Sequence, residues 1–516
     1  MIQLVSVSTD STSIIDLQTV KSNGERLSLE DRHGPNSERL SLYLFCIVVV
    51  IFIAVRLWHL TSYGLFGDEV FTLWTAAQDW RSLFASVVGD VVHPPLFYVT
   101  LKLWIGIGGQ SIFWLKLLPA LFSIASVLPF FLLCRELKLR APAMSLALWL
   151  MAMNGFLINH SQELRMYSLL LLLTLTSLWL FATLVNQGGN TTGTQALLCV
   201  VNLCLVFTHY YGWVIVSIEL FFLLIGKRAR LRSFAIGTVV VALFFSPWVW
   251  FVAKAARVNP SRVNFVWNRP PAASELVGFY GNLNGPLSYR WKVFGTALVM
   301  LVFLAPVVVW GGRILRRGRD NRVEYLTFWW LVLFAFGPVA LSFVASYLLP
   351  QPVWAFRYLI IAAPAYMLLV AVSAYRLQKR RVRIGAIVFL VCWSGLSGFI
   401  EAANRGKISW EPLVRQMIQA EPDQAPVKLY VADANIGNTI QFYLDQANDN
   451  RFQTAYVGSL ISQTDEHYWV ALLRYANEVE PLPQSTLRER GYNVGETLEA
   501  QAAGQRAMIF PVWKRR

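Results

Sequence analysis

Residues 42–70 read LYLFCIVVVIFIAVRLWHLTSYGLFGDEV. Residues 42–60 are apolar almost throughout, and a helix needs roughly 20 such residues to cross a bilayer. A few residues later comes the acidic pair Asp68-Glu69. Carboxylates beside lipid are costly to desolvate, so the pair must be wet, paired or functional. This alternation of apolar span and polar junction recurs along the chain and decides the fold class.

The chain has 516 residues, 56% of them hydrophobic, with 20 Trp, a composition that excludes an ordinary soluble domain. Only helices and closed barrels satisfy their backbone in lipid, and runs this long are helical. Spans are expected at 42–60, 113–134, 141–159, 165–186, 195–209, 211–226, 232–251, 293–311, 325–348, 355–375 and 384–400. Residues 94–109 form a shorter apolar stretch, read as a helix lying on or dipping into the membrane surface. Residues 1–40 are polar and mixed in charge, which predicts a disordered tail.

The net charge of +15 does not indicate nucleic acid, because Lys and Arg concentrate in short loops between spans. With the N-terminus cytoplasmic, loops 135–140, 227–232, 313–322 and 376–383 all face inward, and they are the most basic short loops. This is the bias expected of membrane topology. Counting 94–109 as a full span would reverse every later loop. The five Cys all lie in apolar segments, without metal-ligand spacing, and read as packing residues.

The same topology places residues 401–516 outside. There the pattern changes to an amphipathic helix at 410–420, capped by Ser409, a second helix at 438–444, and strands at 427–431, 468–473 and 507–512. The expected fold class is an all-α polytopic membrane domain of about eleven transmembrane helices over 41–400, with juxtamembrane helices in a first outer loop at 61–112. A small soluble α/β domain follows.

The unusual polar residues gather on the outer side. Asp68, Glu69 and His93 lie in the first outer loop; His160, Glu163, Arg165 and Tyr167 stand where one span leaves and the next begins; His209 lies at the next outer turn and Arg357-Tyr358 at a later one. The outer loop 252–291 carries Lys254, Arg257, Arg262, Arg269 and Arg290 against the usual charge bias, as an anionic ligand at the surface would require. Carboxylates serve as bases or cation ligands and arginines take phosphate. Together they predict chemistry on a phosphate-bearing lipid. Each also has a plainer role: the acidic pair can cap a helix, His160 and His209 can hydrogen-bond at the interface, and the tyrosines suit an aromatic belt.

Gly67-Asp68-Glu69, then His93-Pro94-Pro95-Leu96-Phe97-Tyr98, then Ser161-Gln162-Glu163-Leu164-Arg165-Met166-Tyr167, and later Phe356-Arg357-Tyr358-Leu359, occur in one order on one side. In this the chain resembles the protein O-mannosyltransferases and lipid A aminoarabinose transferases, membrane glycosyltransferases of the GT-C fold. The resemblance is strongest over residues 40–185 and is to the bacterial type. It implies a polyprenyl-phosphate-linked sugar as donor, an inner-membrane location, and an acidic residue of the first outer loop that activates the acceptor hydroxyl. Carried over, Asp68 is the base and Glu69 a supporting residue. Arg165, Arg357 and Tyr358 are expected to bind the donor phosphate, and His93, Glu163, Tyr167 and His209 to contact substrate. Glu69 or His93 could hold a divalent cation, although no spacing demands one. The acceptor is a glycolipid, polysaccharide or protein.

Two other functions compete. A transporter or flippase for a lipid-linked sugar would place ionisable residues near mid-span, whereas here they collect at span ends. A non-catalytic assembly protein would not need the acidic pair together with outer arginines.

Overall fold

The computed structural model describes residues 35–186, 191–226, 228–258, 269–285, 292–318, 321–403, 408–421, 425–456, 466–475, 483–502 and 505–514. The expected tail at 1–40 therefore lies mostly outside the described residues, and its last part is helical. Helix α1 runs from Pro35 to Leu57, and proline is tolerated in a first turn.

Three short helices follow in the loop after α1: α2 (Asp68–Ala77), α3 (Trp80–Asp90) and α4 (Leu96–Gly108). The membrane bundle continues with α5 (Ile112–Ala125), α6 (Val127–Glu136), α7 (Ala141–Ala152), α8 (Gly155–Ser161), α9 (Tyr167–Asn186), α10 (Thr192–Thr208) and α11 (Gly212–Gly226). After α12 (Leu231–Val258) and the short α13 (Ala273–Leu283) come α14 (Lys292–Arg317) and α15 (Arg322–Leu348). A 3₁₀ segment, Phe356–Ala362, leads into α16 (Ala363–Tyr375), and α17 (Arg380–Ala403) ends the bundle.

Among the described residues eight helical segments are long and apolar enough to cross a membrane, or nine if α7 and α8 form one broken span. The remaining two expected spans are the shorter apolar helices α10 and α11. The chain is an integral membrane protein. Helix α16 is buried on every side from Ala363 to Ala374, as a helix apolar all round should be. It packs against α7, which also packs against α1. Arg357 and Tyr358 stand at the entrance to this central element.

One expected span is interrupted. Helices α7 and α8 meet at 64°, because Asn154 stops the first and starts the second. Its side chain accepts a hydrogen bond from the Leu157 amide at 3.0 Å, a typical cap. The break frees carbonyls inside the bundle, and Arg56 takes them: Nη1 donates to Ala152 O at 2.5 Å and Nη2 to Met151 O at 2.8 Å. A cation buried at the end of an apolar span is thus satisfied by helix-terminal oxygens.

The C-terminal part folds as expected into an α/β unit. Helix α18 (Trp410–Ala420) and strand β1 (Val427–Val431) have the expected limits, although the Ser409 side chain makes no cap bond. Helix α19 (Ala434–Gln446) is longer than expected, starting at Asp433, whose carboxylate accepts from the Asn435 and Ile436 amides. Strands β2 (Phe452–Tyr456), β3 (His467–Tyr475), β4 (Tyr492–Val494), β5 (Leu498–Ala502) and β6 (Gln505–Lys514), with α20 (Pro483–Glu489), complete it. The sheet runs β2-β1-β3-β6-β4, with β5 also on β6. β1 is parallel to β2 and β3, whereas β3 and β6 are antiparallel.

Candidate active site

The loop before Asp68 is held from two directions. From the bundle, Lys116 Nζ donates to Tyr63 O at 2.8 Å. From the C-terminal unit, Thr439 Oγ1 accepts the Gly67 amide at 2.7 Å and Tyr443 OH donates to Leu65 O at 3.1 Å. Helix α19 lies so close that a Cβ on Gly64 would sit 1.8 Å from Tyr443 Oη. Gly67 has φ +41°, and a Cβ there would come within 3.0 Å of Asn435 Cβ. Glycine is required at both positions, by space at the first and by conformation and space at the second.

Asp68 and Glu69 then open α2, so the pair occupies a first helical turn rather than a loop. The two side chains diverge. Glu69 is 1% exposed and its Oε1 accepts the Leu164 amide at 2.8 Å. The Asp68 side chain keeps 39% of its surface, with Oδ2 3.4 Å from Arg357 Nη1 and 4.0 Å from Arg165 Nη2. The Arg165 guanidinium holds the Asp68 carboxyl below the usual carboxylate range, against the opposing effect of burial and with help from Arg357.

The two arginines differ. Arg165 is 3% exposed in its side chain. Its Nη1 donates to Thr72 Oγ1 at 2.7 Å and to Asp68 O at 3.2 Å, and its Nη2 to His93 Nε2 at 3.1 Å. His93 in turn donates from Nδ1 to Asp90 Oδ2 at 3.0 Å. Burial first, and then Arg165, push the His93 pKa down, which fits a neutral ring accepting at one nitrogen and donating at the other. The Arg357 side chain is 44% exposed.

Arg165 reaches Asp68 because the segment after α8 is tied to the end of α1: Gln162 Nε2 donates to Arg56 O at 2.6 Å and to Trp58 O at 2.9 Å. Glu163, on the same segment, pairs with His160 Nδ1 at 2.7 Å.

A cavity of about 400 Å³ lies between bundle and C-terminal unit, lined on one side by Asp68, Glu69, Glu163 and Arg357. Phe66, Ile408, Trp410, Asn435, Leu473 and Gln505 complete it. Of the residues expected to bind substrate, Glu163 is on the cavity wall. His93 stands behind Arg165. His209 is buried farther back, its ring 6.1 Å from that of His93 and 4.6 Å from that of Tyr358. Tyr167 is fully buried with its ring 4.8 Å from His160. None of the three lines the cavity. Lys254, Arg257 and Arg269 of the basic segment 252–291 do not line it either, and Arg262 and Arg290 lie outside the described residues.

His93 has no nitrogen free for a divalent cation, since Arg165 and Asp90 engage both. No group of three His, Cys, Asp or Glu among the described residues could hold a metal ion.

Several site residues were not foreseen. Thr72 could have been, since it lies one helical turn after Asp68. Asn435, Thr439, Tyr443 and Gln505 could not: nothing in their local sequence points to a loop more than three hundred residues away, as in the separation of 372 between Gly67 and Thr439.

No family model and no curated protein matches the sequence. Solved structures do match. ArnT from Cupriavidus metallidurans in the apo state is similar at TM-score 0.54 and 15% identity, covering 91% of this chain and 97% of that one. The same protein bound to undecaprenyl phosphate gives 0.52 and 14% with the same coverage. The archaeal oligosaccharyltransferase AglB from Archaeoglobus fulgidus, in complex with an inhibitory peptide and a dolichol-phosphate, gives 0.50 and 12%, covering 79% of this chain and 64% of that one. With nine-tenths of the chain aligned to the ArnT structures, the protein adopts the GT-C fold.

Proposed function

We propose that the protein transfers a sugar from a polyprenyl-phosphate donor to an acceptor hydroxyl at the outer membrane surface, with inversion at the anomeric carbon and Asp68 as base. One observation carries this reading: a half-exposed carboxylate and a half-exposed guanidinium stand 3.4 Å apart on the wall of one cavity. The similarity to ArnT, whose structure holds undecaprenyl phosphate, supports a lipid phosphate as the donor carrier. The outer location rests on the charge pattern of the short loops.

The acceptor oxygen attacks the anomeric carbon as its bond to phosphate oxygen breaks. The hydroxyl proton passes to Asp68, and the electron pair of the broken bond leaves with polyprenyl phosphate. Arg357 stabilises that developing charge by a charge-assisted, bidentate contact. In the free protein Arg357 pairs with Asp68; an arriving phosphate draws the guanidinium away and leaves the carboxylate a better base. Phosphate is already a good leaving group, so no strong general acid is needed. Arg165, with its Nη groups committed to Thr72, His93 and the Asp68 carbonyl, is a positioning residue. Glu69 acts likewise, fixing Leu164 and hence the Glu163–Arg165 segment.

Purified protein incubated with polyprenyl-phosphate sugars and a membrane lipid extract should release polyprenyl phosphate and label an acceptor. Movement of intact donor across vesicles without cleavage would favour the flippase reading instead.

A further inference from the structure

The two sides of the cavity differ in chemistry. The bundle contributes Asp68, Glu69, Glu163 and Arg357, all charged. Helix α18, helix α19 and the sheet contribute Trp410, Asn435, Leu473 and Gln505, none charged. Asn435 is exposed and Gln505 partly buried, and neither side-chain amide hydrogen-bonds to another described residue. Both positions are nevertheless fixed. The Asn435 backbone amide donates to the Asp433 cap at 2.8 Å, and Gln505 begins β6 paired with Tyr475 and Ala502. These are held backbones whose side-chain amides have no partner among the described residues.

We infer that the acceptor is an uncharged saccharide and that the C-terminal unit binds it through Asn435 and Gln505. The inference rests on the glycosyltransferase reading and adds the substrate class. Each amide offers both a donor and acceptor sites, the match for neighbouring hydroxyls that do the same. Phe66, partly buried at the junction, lies parallel to Trp410 at 8° with ring centroids 6.5 Å apart. Trp410 is itself fully buried, so Phe66 presents the aromatic face, which suits the apolar side of a sugar ring. Among the described lining residues this side holds no cation, and Arg357 is the one described lining cation that an anionic acceptor head would meet, a group the proposed mechanism assigns to the donor.

A peptide acceptor fits less well. Peptides commonly bind by adding a strand to an open sheet edge. The cavity residues of the sheet are Gln505 on β6, paired on both sides, and Leu473 on β3, paired with Ala507 of β6 while β1 reaches only to Ala471, which leaves a short open edge at that point. The other open edges, on β2, β4 and β5, supply no cavity residue among the described residues. A cavity of about 400 Å³ is also of the size that takes small compact ligands.

The test uses full-length protein in lipid nanodiscs, polyprenyl-phosphate hexoses and pentoses as donors, and two acceptor probes: an octyl disaccharide and a Ser/Thr-containing octapeptide. Transfer to the disaccharide is expected. Asn435→Ala and Gln505→Ala should each raise its KM about tenfold while the donor KM moves less than twofold, and Asn435→Ser, which keeps a donor and an acceptor, should recover part of the loss. Transfer to the peptide alone, or an unchanged disaccharide KM in both variants, would overturn the saccharide assignment and leave the glycosyltransferase reading standing. Failure of the wild type to release polyprenyl phosphate with any probe would remove that reading and the saccharide inference with it.

Discussion

The bundle side and the C-terminal side of the cavity show two ways of building a binding wall. On the bundle side, Asp90, His93, Arg165, Thr72 and Asp68 form a chain of hydrogen bonds and an ion pair, with the Arg165 Nε unpaired among the described residues. On the C-terminal side the amides of Asn435 and Gln505 have no partner among the described residues. A wall for bond breaking has to be prearranged, because stabilising a transition state demands fixed charges. A wall for recognition can leave its hydrogen bonds to the ligand. The two sides are joined where α19 grips the loop that delivers Asp68.

This contrast sets an order of expected effects. Asp68→Asn keeps the shape and removes the base, so transfer should fall by roughly 10²–10⁴-fold, measured as labelled product per minute in protein that still elutes as wild type. The two arginines should then separate. Arg357→Ala should lower kcat/KM for donor by about 10²-fold, with partial rescue in Arg357→Lys because a point charge still meets phosphate. Arg165→Lys should show no comparable rescue, because three bonds in fixed directions are lost. Equal rescue at both positions would erase the distinction between phosphate contact and positioning.

Smaller effects test the joint between the walls. Thr439→Val removes two hydrogen bonds, from the Gly67 amide and to the Asn435 carbonyl, and Tyr443→Phe removes one, each worth about 0.5–1.5 kcal/mol. Each should lower kcat several-fold while leaving donor KM nearly unchanged, as steady-state kinetics would reveal. Gly67→Ala should be more damaging than either, since it adds strain at φ +41° and a 3.0 Å contact.

The pH profile should respond least. The Asp68 pKa is depressed, so the carboxylate stays ionised down to low pH. Its contribution to stability is present above the unfolded-state value and is lost only as pH falls through the lower folded value. His93 is shifted the same way for a different reason: burial favours its neutral form. The unfolded chain therefore binds the His93 proton more readily, and stability should decline as pH falls below about 6.5. Transfer rates in well-folded protein should thus be flat between pH 5 and 8. A rate limb near pH 6 that persists while the fold is intact would assign proton transfer to another group.

The sequence was most legible where physics is local. Span lengths, basic loops and the α/β change near residue 401 follow from hydropathy and period, and α18 and β1 were found at their limits. The break between α7 and α8 was hidden, since apolarity continues through Met153 and Phe156 and the bend depends on Arg56, which binds Ala152 across a separation of 96 residues. β2 was missed because it is an edge strand with only Phe452 fully buried, which leaves little alternation to read. In the site, the motif residues Asp68, Glu69, Glu163 and Arg357 meet on one wall. Tyr167 and His209 looked equally suited to substrate but pack behind it, a difference of side-chain direction that spacing alone does not specify.

The central claim is that Asp68 takes the acceptor proton beside a separate phosphate-binding guanidinium. The most direct measurement is a parallel assay of donor binding and product formation in Asp68→Asn. The account predicts that the variant binds polyprenyl-phosphate sugar with wild-type affinity or tighter, because Arg357 is released from its carboxylate partner, and forms product at less than 1% of the wild-type rate, at the near end of the range expected for loss of a general base. Wild-type turnover by Asp68→Asn, or donor binding lost together with turnover, would contradict it.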